Sequence, residues 1–186
     1  MTAATVAGLL MIVVAIAFNA AFAMLAARFD YPDILREPTA DVLAKFRAGG
    51  APLVLLWWAF ALTAMLMVPL VVLLAAAISD ADRTLIAIAT TVGVLAALVQ
   101  FLGLIRWPFL VPYLARTAAD PDASPARREA VDIVFQSFNR YLGVAVGEHL
   151  GYLLTEPGPR SPASPSPRRP PRPAGSARSA SSSAPC

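Results

Sequence analysis

The first long apolar run limits what this chain can fold into more than any other feature. Residues 5–27 are 23 residues without a charge. At about 1.5 Å of rise per residue, a helix of this length covers the roughly 30 Å hydrocarbon core of a bilayer. A cleaved signal peptide ending near residues 21–23 is the alternative, but no basic residue precedes the run, and the run exceeds the usual ~7–15 apolar residues. The run therefore predicts a first transmembrane helix.

Two more apolar runs, residues 52–79 and 85–105, have the length of membrane spans. The chain is 58% hydrophobic and 15% charged, with a mean hydropathy of +0.63, which is well on the apolar side of soluble domains. Pro69 predicts a kink rather than an end in the second span. Trp57 and Trp58 near its start are expected at the level of the lipid headgroups. The lipid bilayer is thus the first partner that the sequence predicts.

The end of the third run carries a charge, an indole and a proline. Arg106, Trp107 and Pro108 follow its last apolar residues. A cation and an indole favour the membrane interface, and the residue before a proline disfavours helical geometry. The third span is therefore expected to end at this point.

Residues 125–154 predict a fourth helix that does not complete a crossing. Ser124 before Pro125 supplies an N-cap and a first-turn residue. Apolar and polar residues take opposite sides of its first half, as in an amphipathic interfacial helix. Only residues 141–154 are apolar enough to enter the bilayer, and 14 residues are too few to span it. The apolar side comprises Val131, Val134, Phe135, Phe138, Leu142 and Val146, and the polar side Asp132, Gln136, Asn139 and Arg140.

Loop charges predict the orientation, because Lys and Arg in short loops stay on the cytoplasmic side. Residues 28–51 and residues 106–128 hold four basic residues each, whereas the 80–84 turn has one and none precedes the first span. We expect a multi-pass protein of the cytoplasmic membrane. Its N-terminus would lie outside, and its first and third loops in the cytoplasm.

The tail, residues 156–186, has a different composition from the membrane domain, residues 1–155. Of its 31 residues, 29 are Pro, Ser, Arg, Ala or Gly, so it cannot form a core. Its five arginines and one glutamate account for the pI near 9.5, so no nucleic-acid partner is expected. Two interpretations stay open: a disordered tail that touches anionic lipid headgroups, or loss of the natural reading frame near Thr155. We favour the second, because GC-rich DNA read out of frame encodes such residues.

Two motifs carry a family resemblance: FDYPDILR at residues 29–36 and YLGVAVGEHLGYLL at residues 141–154. With them the chain resembles a bacterial multi-pass membrane family catalogued as domain of unknown function 4386. The resemblance implies a first span, a YPDILR-type loop with a small amphipathic helix, two more spans and a GEHLGY-type segment that opens a further span. It also implies additional helices where the tail stands, and a bacterial inner membrane location. It implies no activity and no catalytic residues.

The loop after the first span predicts its own short helix without the family. Thr39 starts it after Pro38, three apolar residues lie along one face, and Gly49 with Gly50 ends it. The apolar residues are Val42, Leu43 and Phe46. We expect this helix to lie in the interface and to fix the tilt of the first two spans, with a substrate-gating role as the alternative.

Ionisable groups inside a bilayer are costly and therefore suggest function. Glu148 is the first candidate, with His149 beside it and Arg106 as a possible counter-charge; Asn19 and Gln100 complete a possible polar site. Neighbouring helical residues point about 100° apart, so Glu148 and His149 cannot both face one partner. The alternative is that these groups only hold the helices together.

Small residues at four-residue spacing predict close helix packing. One stripe lies in the fourth helix and one in the third span, which Gln100 extends, and we expect the two faces to meet. They are Gly143, Gly147 and Gly151, and Ala89, Gly93 and Ala97. Such faces also allow self-association or membrane-protein partners.

No enzyme motif is present in the sequence. One histidine cannot build a multi-histidine metal site, the single Cys186 cannot form an intrachain disulfide, and phosphate-binding and nucleophile-elbow motifs are absent. No catalytic residue, cofactor or metal ion is therefore expected. The first functional hypothesis is a structural or interaction subunit of the membrane. The alternatives are a small-solute or proton-coupled transporter or sensor centred on Glu148, and then an intramembrane enzyme.

The interpretation of the tail can be checked on DNA. Translation of the gene in its other two forward frames after the codon for Thr155 is expected to yield at least one further apolar run. If neither frame contains one, the reading-frame interpretation is wrong.

Overall fold

The computed structural model describes residues 1–78 and 81–155, and this part of the chain contains helices and no strand. Three helices are long enough and apolar enough to cross a membrane. They are α1 (Ala3–Phe29), α2 (Thr39–Ala77) and α3 (Arg83–Ala118). The prediction of an all-α bundle with three long apolar helices is therefore confirmed. The predictions for residues 156–186, and for residue 79 at the end of the second span, lie outside the described residues.

A fourth helical segment, residues 125–155, follows α3. It consists of α4 (Pro125–Phe138), a π-helix (Asn139–Leu150) and α5 (Gly151–Thr155), and the backbone stays helical at both junctions. Its start is the one predicted, because Ser124 Oγ accepts a hydrogen bond from the Arg127 backbone N–H at 3.3 Å and Pro125 opens the first turn. No residue pattern in this segment predicted the π-helix.

Two residues with positive φ lie between the end of α1 and the longer part of α2. Asp30 ends α1 in the left-handed region, with φ +55°, which aspartate tolerates better than most residues. A short 3₁₀ helix (Asp33–Arg36) follows. Gly50 then interrupts α2 with φ +55° and ψ −154°, a conformation that glycine adopts without steric conflict because it has no Cβ. The first part of α2 is thus the short helix expected before Gly50, and its apolar face is buried: Val42, Leu43 and Phe46.

The helix of the third span does not end at Pro108, where its sequence predicted a break. α3 continues through Pro108 and Pro112 to Ala118. A proline removes one backbone hydrogen bond, but a helix can continue where tertiary packing holds it. Here Pro108, Val111 and Leu114 are all buried, and Val111 and Leu114 belong to the core. Packing therefore outweighs the local preference of proline.

An aromatic cluster forms the core at the α1–α2 loop end of the bundle. The Trp57 and Trp107 rings stack with centroids 4.4 Å apart and planes at 7°, and Phe29 lies edge-on to both. Phe46 packs against Trp107. The side chains of Trp57 and Trp107 are fully buried in protein, and their expected position at the level of the lipid headgroups stays a prediction. Adjacent Trp58 is only half-buried.

The two predicted sides of the fourth segment also need correction. Val131 and Phe135 are buried as expected, but Phe138 is exposed. On the predicted polar side, Gln136 Nε2 donates to Thr39 Oγ1 at 2.9 Å. The Asn139 side chain accepts a hydrogen bond from Arg106 of α3. Polar residues of this helix contact other helices because those helices offer them hydrogen-bond partners.

Candidate functional site

A cleft of about 250 Å³ opens between α1, α2, α3 and the fourth segment. One wall is aromatic and is formed by Phe18 and Phe22 of α1 and Phe60 of α2. The opposite wall contains the glycines of α3 and the fourth segment. Polar side chains are gathered in the same cleft: Tyr31, Gln100, Arg106, Glu148, Tyr152 and Thr155.

Arg106 is the buried charge of this site, with only 8% of its surface exposed. Its Nη1 donates to the carbonyl oxygen of Gly103, one turn earlier on α3, and its Nη2 donates to Asn139 Oδ1 at 2.9 Å. The guanidinium carbon lies 5.3 Å from the centroid of the Trp107 ring. Gly143 makes room for this arrangement, because a Cβ there would lie 2.6 Å from Nη2.

The charge of Arg106 is not neutralised by a close carboxylate. In residues 1–78 and 81–155 no Asp or Glu oxygen lies within 4.0 Å of its guanidinium. A guanidinium has five N–H groups, and the two hydrogen bonds to Gly103 and Asn139 leave the others without a protein acceptor in the described chain. Arg106 can therefore accommodate a further acceptor from the cleft.

Tyr31 brings the α1–α2 loop into the site. Its ring packs edge-on against Trp57 at 5.0 Å and Phe22 at 5.8 Å. Burial raises the pKa of its phenol, and the negative charge of Glu148 adds to this, while the positive charge of Arg106 partly opposes it. The phenol stays protonated at neutral pH and can donate a hydrogen bond, and the two charges lie near enough to it to influence it.

The structure places the other predicted polar residues differently. Glu148 and Gln100 line the cleft, Glu148 at an exposed position and Gln100 half-buried, whereas His149 is exposed and does not line it. Asn19 is not part of the site either, because its side-chain amide donates to the carbonyl oxygen of Ala15 on the same exposed side of α1, at 2.8 Å. Of the proposed polar group, the cleft therefore brings together Glu148, Gln100 and Arg106.

The predicted pairing of the two small-residue stripes needs correction. Gly93 faces α2, since a Cβ there would lie 2.8 Å from Val71 Cγ1. Ala89 lines a separate apolar groove with Val71, and Ala97 is buried. The glycines of the fourth segment contact a later part of α3: Gly151 lies against Gln100, Gly147 against Gly103, and Gly143 against Arg106. The glycine stripe is thus occupied within the chain.

These contacts run in antiparallel order and explain the π-helix. The contact residues on α3 are three apart, which is an axial step of about 4.5 Å along that helix. Their glycine partners on the fourth segment are four apart, and four residues of an α-helix would advance about 6 Å. A π-helix has wider turns with hydrogen bonds from i to i+5, so it rises less per residue and a four-residue step shortens. The π-helix therefore keeps Gly143, Gly147 and Gly151 in register with α3.

Sequence reasoning missed Tyr31 and Asn139 as parts of this site. A signal for Asn139 existed, because it extends the glycine stripe by one more step of four residues. A buried arginine needs an acceptor, and an amide on the same stripe is a natural one. Tyr31 had no such signal, since its position depends on how the loop folds back over Trp57.

Among residues 1–78 and 81–155 no group of three or more His, Cys, Asp or Glu side chains is placed to hold a metal ion. A family model described as "Domain of unknown function (DUF4386)" matches residues 6–158 of the chain. No curated protein and no solved structure shows significant similarity to it.

Substitution of Gly147 by Leu tests the contact between α3 and the fourth segment. A Cβ at Gly147 would already lie 3.0 Å from the Gly103 Cα, so the larger side chain forces the helices apart, and we expect loss of thermal stability in detergent or mislocalisation. Gly8→Leu is the matched control, because no atom lies within 4 Å of a Cβ at Gly8. Equal stability of the two variants would rule out the contact.

Proposed function

Because the chain belongs to the family described as domain of unknown function DUF4386, which names no activity, we propose a function from the cleft itself. The protein binds a small polar solute between its helices and serves as the binding part of a transporter or a membrane sensor. One observation carries this proposal: Arg106 is buried, lines the cleft and keeps N–H groups without a protein acceptor in the described chain.

The cost of burying a charge supports a functional role. An arginine at the centre of a membrane helix costs roughly 2.5–3.5 kcal/mol on insertion scales. Two hydrogen bonds to neutral acceptors offset part of that cost. A residue needed only for packing could be apolar, because replacing a buried charge by an apolar residue of similar volume is often neutral or stabilising.

The location belongs to the same proposal. The protein would be a multi-pass protein of the bacterial cytoplasmic membrane, with its N-terminus outside and the loop containing Tyr31 on the cytoplasmic side. The excess of Lys and Arg in residues 28–51 and 116–128, which leaves out the buried Arg106, supports this orientation. With it, the Arg106 end of the cleft lies nearer the cytoplasm.

A structural or interaction subunit is the second candidate function. The hydrogen bond from Arg106 to Asn139 joins α3 to the fourth segment, and the bond from Gln136 to Thr39 joins that segment to α2. These contacts favour a role for the polar residues in holding the bundle, with roughly 1 kcal/mol or less per contact. Glu148 separates the two candidates, because it lines the cleft without an ion pair in the described chain.

Glu148→Gln is the test, with Glu129→Gln on the exposed part of α4 as its matched control. We expect both variants to fold with stability within about 0.5 kcal/mol of the wild type. In a strain that lacks the gene, only Glu148→Gln is expected to fail to restore the phenotype of the deletion. Thermal unfolding in detergent and complementation are the two measurements.

Two outcomes would contradict the proposed function. Full complementation by Glu148→Gln would show that the carboxylate has no role in activity. Unfolding of Glu148→Gln, with Glu129→Gln intact, would assign Glu148 to the structure of the bundle and favour the second candidate.

A further inference from the structure

The cleft contains two opposite charges that do not pair with each other. Arg106 and Glu148 both line it, yet no oxygen of Glu148 lies within 4.0 Å of the guanidinium. Both charges act on the phenol of Tyr31, so they lie around the same space. Opposite charges attract each other, so two that line one cleft without pairing leave room for a ligand that contacts both, with Glu148 on the exposed side of the cleft and Arg106 on its buried side.

The two ends of this space suit different chemical groups. The free N–H groups of Arg106 match the oxygens of a carboxylate or a phosphate, which a guanidinium binds with two parallel hydrogen bonds. Tyr31, whose phenol is influenced by the charge of Arg106, adds a donor at this end, whereas Gln100 lies two turns earlier on α3, against Gly151. The carboxylate of Glu148 instead suits a cation.

The aromatic wall strengthens the site for a cation. Phe18 and Phe60 lie with ring centroids 5.1 Å apart, and Phe22 lies 6.2 Å from Phe60. All three rings line the cleft. Faces of aromatic rings attract ammonium groups, more strongly where water is excluded.

The size of the cleft limits the ligand. Its volume of about 250 Å³ is below the ~300–1,000 Å³ that is typical of pockets for drug-sized molecules. An amino acid or the headgroup of a phospholipid is small enough for a cleft of this volume, whereas a nucleotide is too large.

We propose that the cleft binds a small zwitterion, with its carboxylate or phosphate on Arg106 and its ammonium between Glu148 and the rings of Phe18 and Phe60. This inference rests on the proposed function and names its ligand class. The zwitterion has two possible sources, a free amino acid or the headgroup of a lipid such as phosphatidylethanolamine, and both present the same pair of charges.

The test compares ligands that keep or lose one charge. Full-length protein in detergent is titrated with leucine, with isopentylamine, which lacks the carboxylate, and with 4-methylpentanoate, which lacks the ammonium. A parallel series uses phosphoethanolamine and inorganic phosphate, and nanodiscs that contain phosphatidylethanolamine or phosphatidylglycerol. Binding is measured by the rise in the unfolding midpoint with ligand concentration.

A zwitterion is expected to bind about tenfold or more tightly than either single-charge analogue, because each analogue loses one of the two charge-assisted contacts. Preference for leucine indicates a free solute, and preference for phosphoethanolamine with phosphatidylethanolamine nanodiscs indicates a lipid headgroup. Glu148→Gln should remove the advantage of the zwitterion over the anion, whereas Glu129→Gln should keep it.

Three results would overturn the zwitterion proposal. The anionic analogue could bind as tightly as the zwitterion, Glu148→Gln could leave the preference unchanged, or no probe of either series could bind. The comparison on wild-type protein needs no variant, so it stands even if Glu148→Gln does not fold. If the cleft binds anions alone, the zwitterion proposal is wrong and the proposed function still stands. If Glu148→Gln complements the deletion, the proposed function is wrong.

Discussion

The burial of one guanidinium among apolar helices sets the arrangement around it. Arg106 lies in the third long helix with 8% of its surface exposed, and a charge in such surroundings is stable only if its N–H groups find acceptors. One acceptor is the Gly103 carbonyl on its own helix and the other is Asn139 on the fourth segment. The fourth segment must therefore approach α3 closely, and Gly143 at the guanidinium permits that approach.

The close approach in turn governs the backbone of the fourth segment. Contact positions on α3 are three residues apart, and those on the fourth segment are four apart. Two regular α-helices would lose this register by about 1.5 Å at each step, which would move Gly147 away from Gly103. The π-helix (Asn139–Leu150) removes the mismatch and keeps Glu148 at the cleft. Wider turns at a functional site are a recurring use of π geometry in proteins.

The sequence was sufficient for the parts of the fold that depend on local physics. Run length predicted three apolar helices, Ser124 predicted the start of the fourth segment, and Gly50 predicted the break in α2. These features follow from solvent, capping and backbone freedom, each of which acts over a few residues. Fold class and helix count were therefore within reach.

The parts of the fold that depend on long-range packing could not be predicted from the sequence. Pro108 continues a helix because neighbouring side chains are packed against the core, and Trp57 is buried because Trp107 stacks on it. At the site, Glu148, Gln100 and Arg106 were identified by the cost of polar groups in a bilayer, but Tyr31 and Asn139 were not. Their roles depend on which helix faces which, and a small-residue stripe does not indicate its partner.

The pairing of the glycine stripe with α3 underlies the site and can be measured directly by disulfide cross-linking. In a chain in which its only cysteine, Cys186, is replaced by serine, cysteines are introduced as Gln100→Cys with Gly151→Cys. A Cβ at Gly151 would lie 3.0 Å from Gln100 Cγ, so the pair is within reach of a disulfide. Val71→Cys with Gly93→Cys is the positive control, because a Cβ at Gly93 would lie 2.8 Å from Val71 Cγ1.

Mild oxidation in native membranes, followed by mass spectrometry of linked peptides, reads out both pairs. The structure predicts an intramolecular disulfide in each. A link between residues 71 and 93 without one between residues 100 and 151 would show that the fourth segment does not pack against α3, and the cleft built on that contact would not exist.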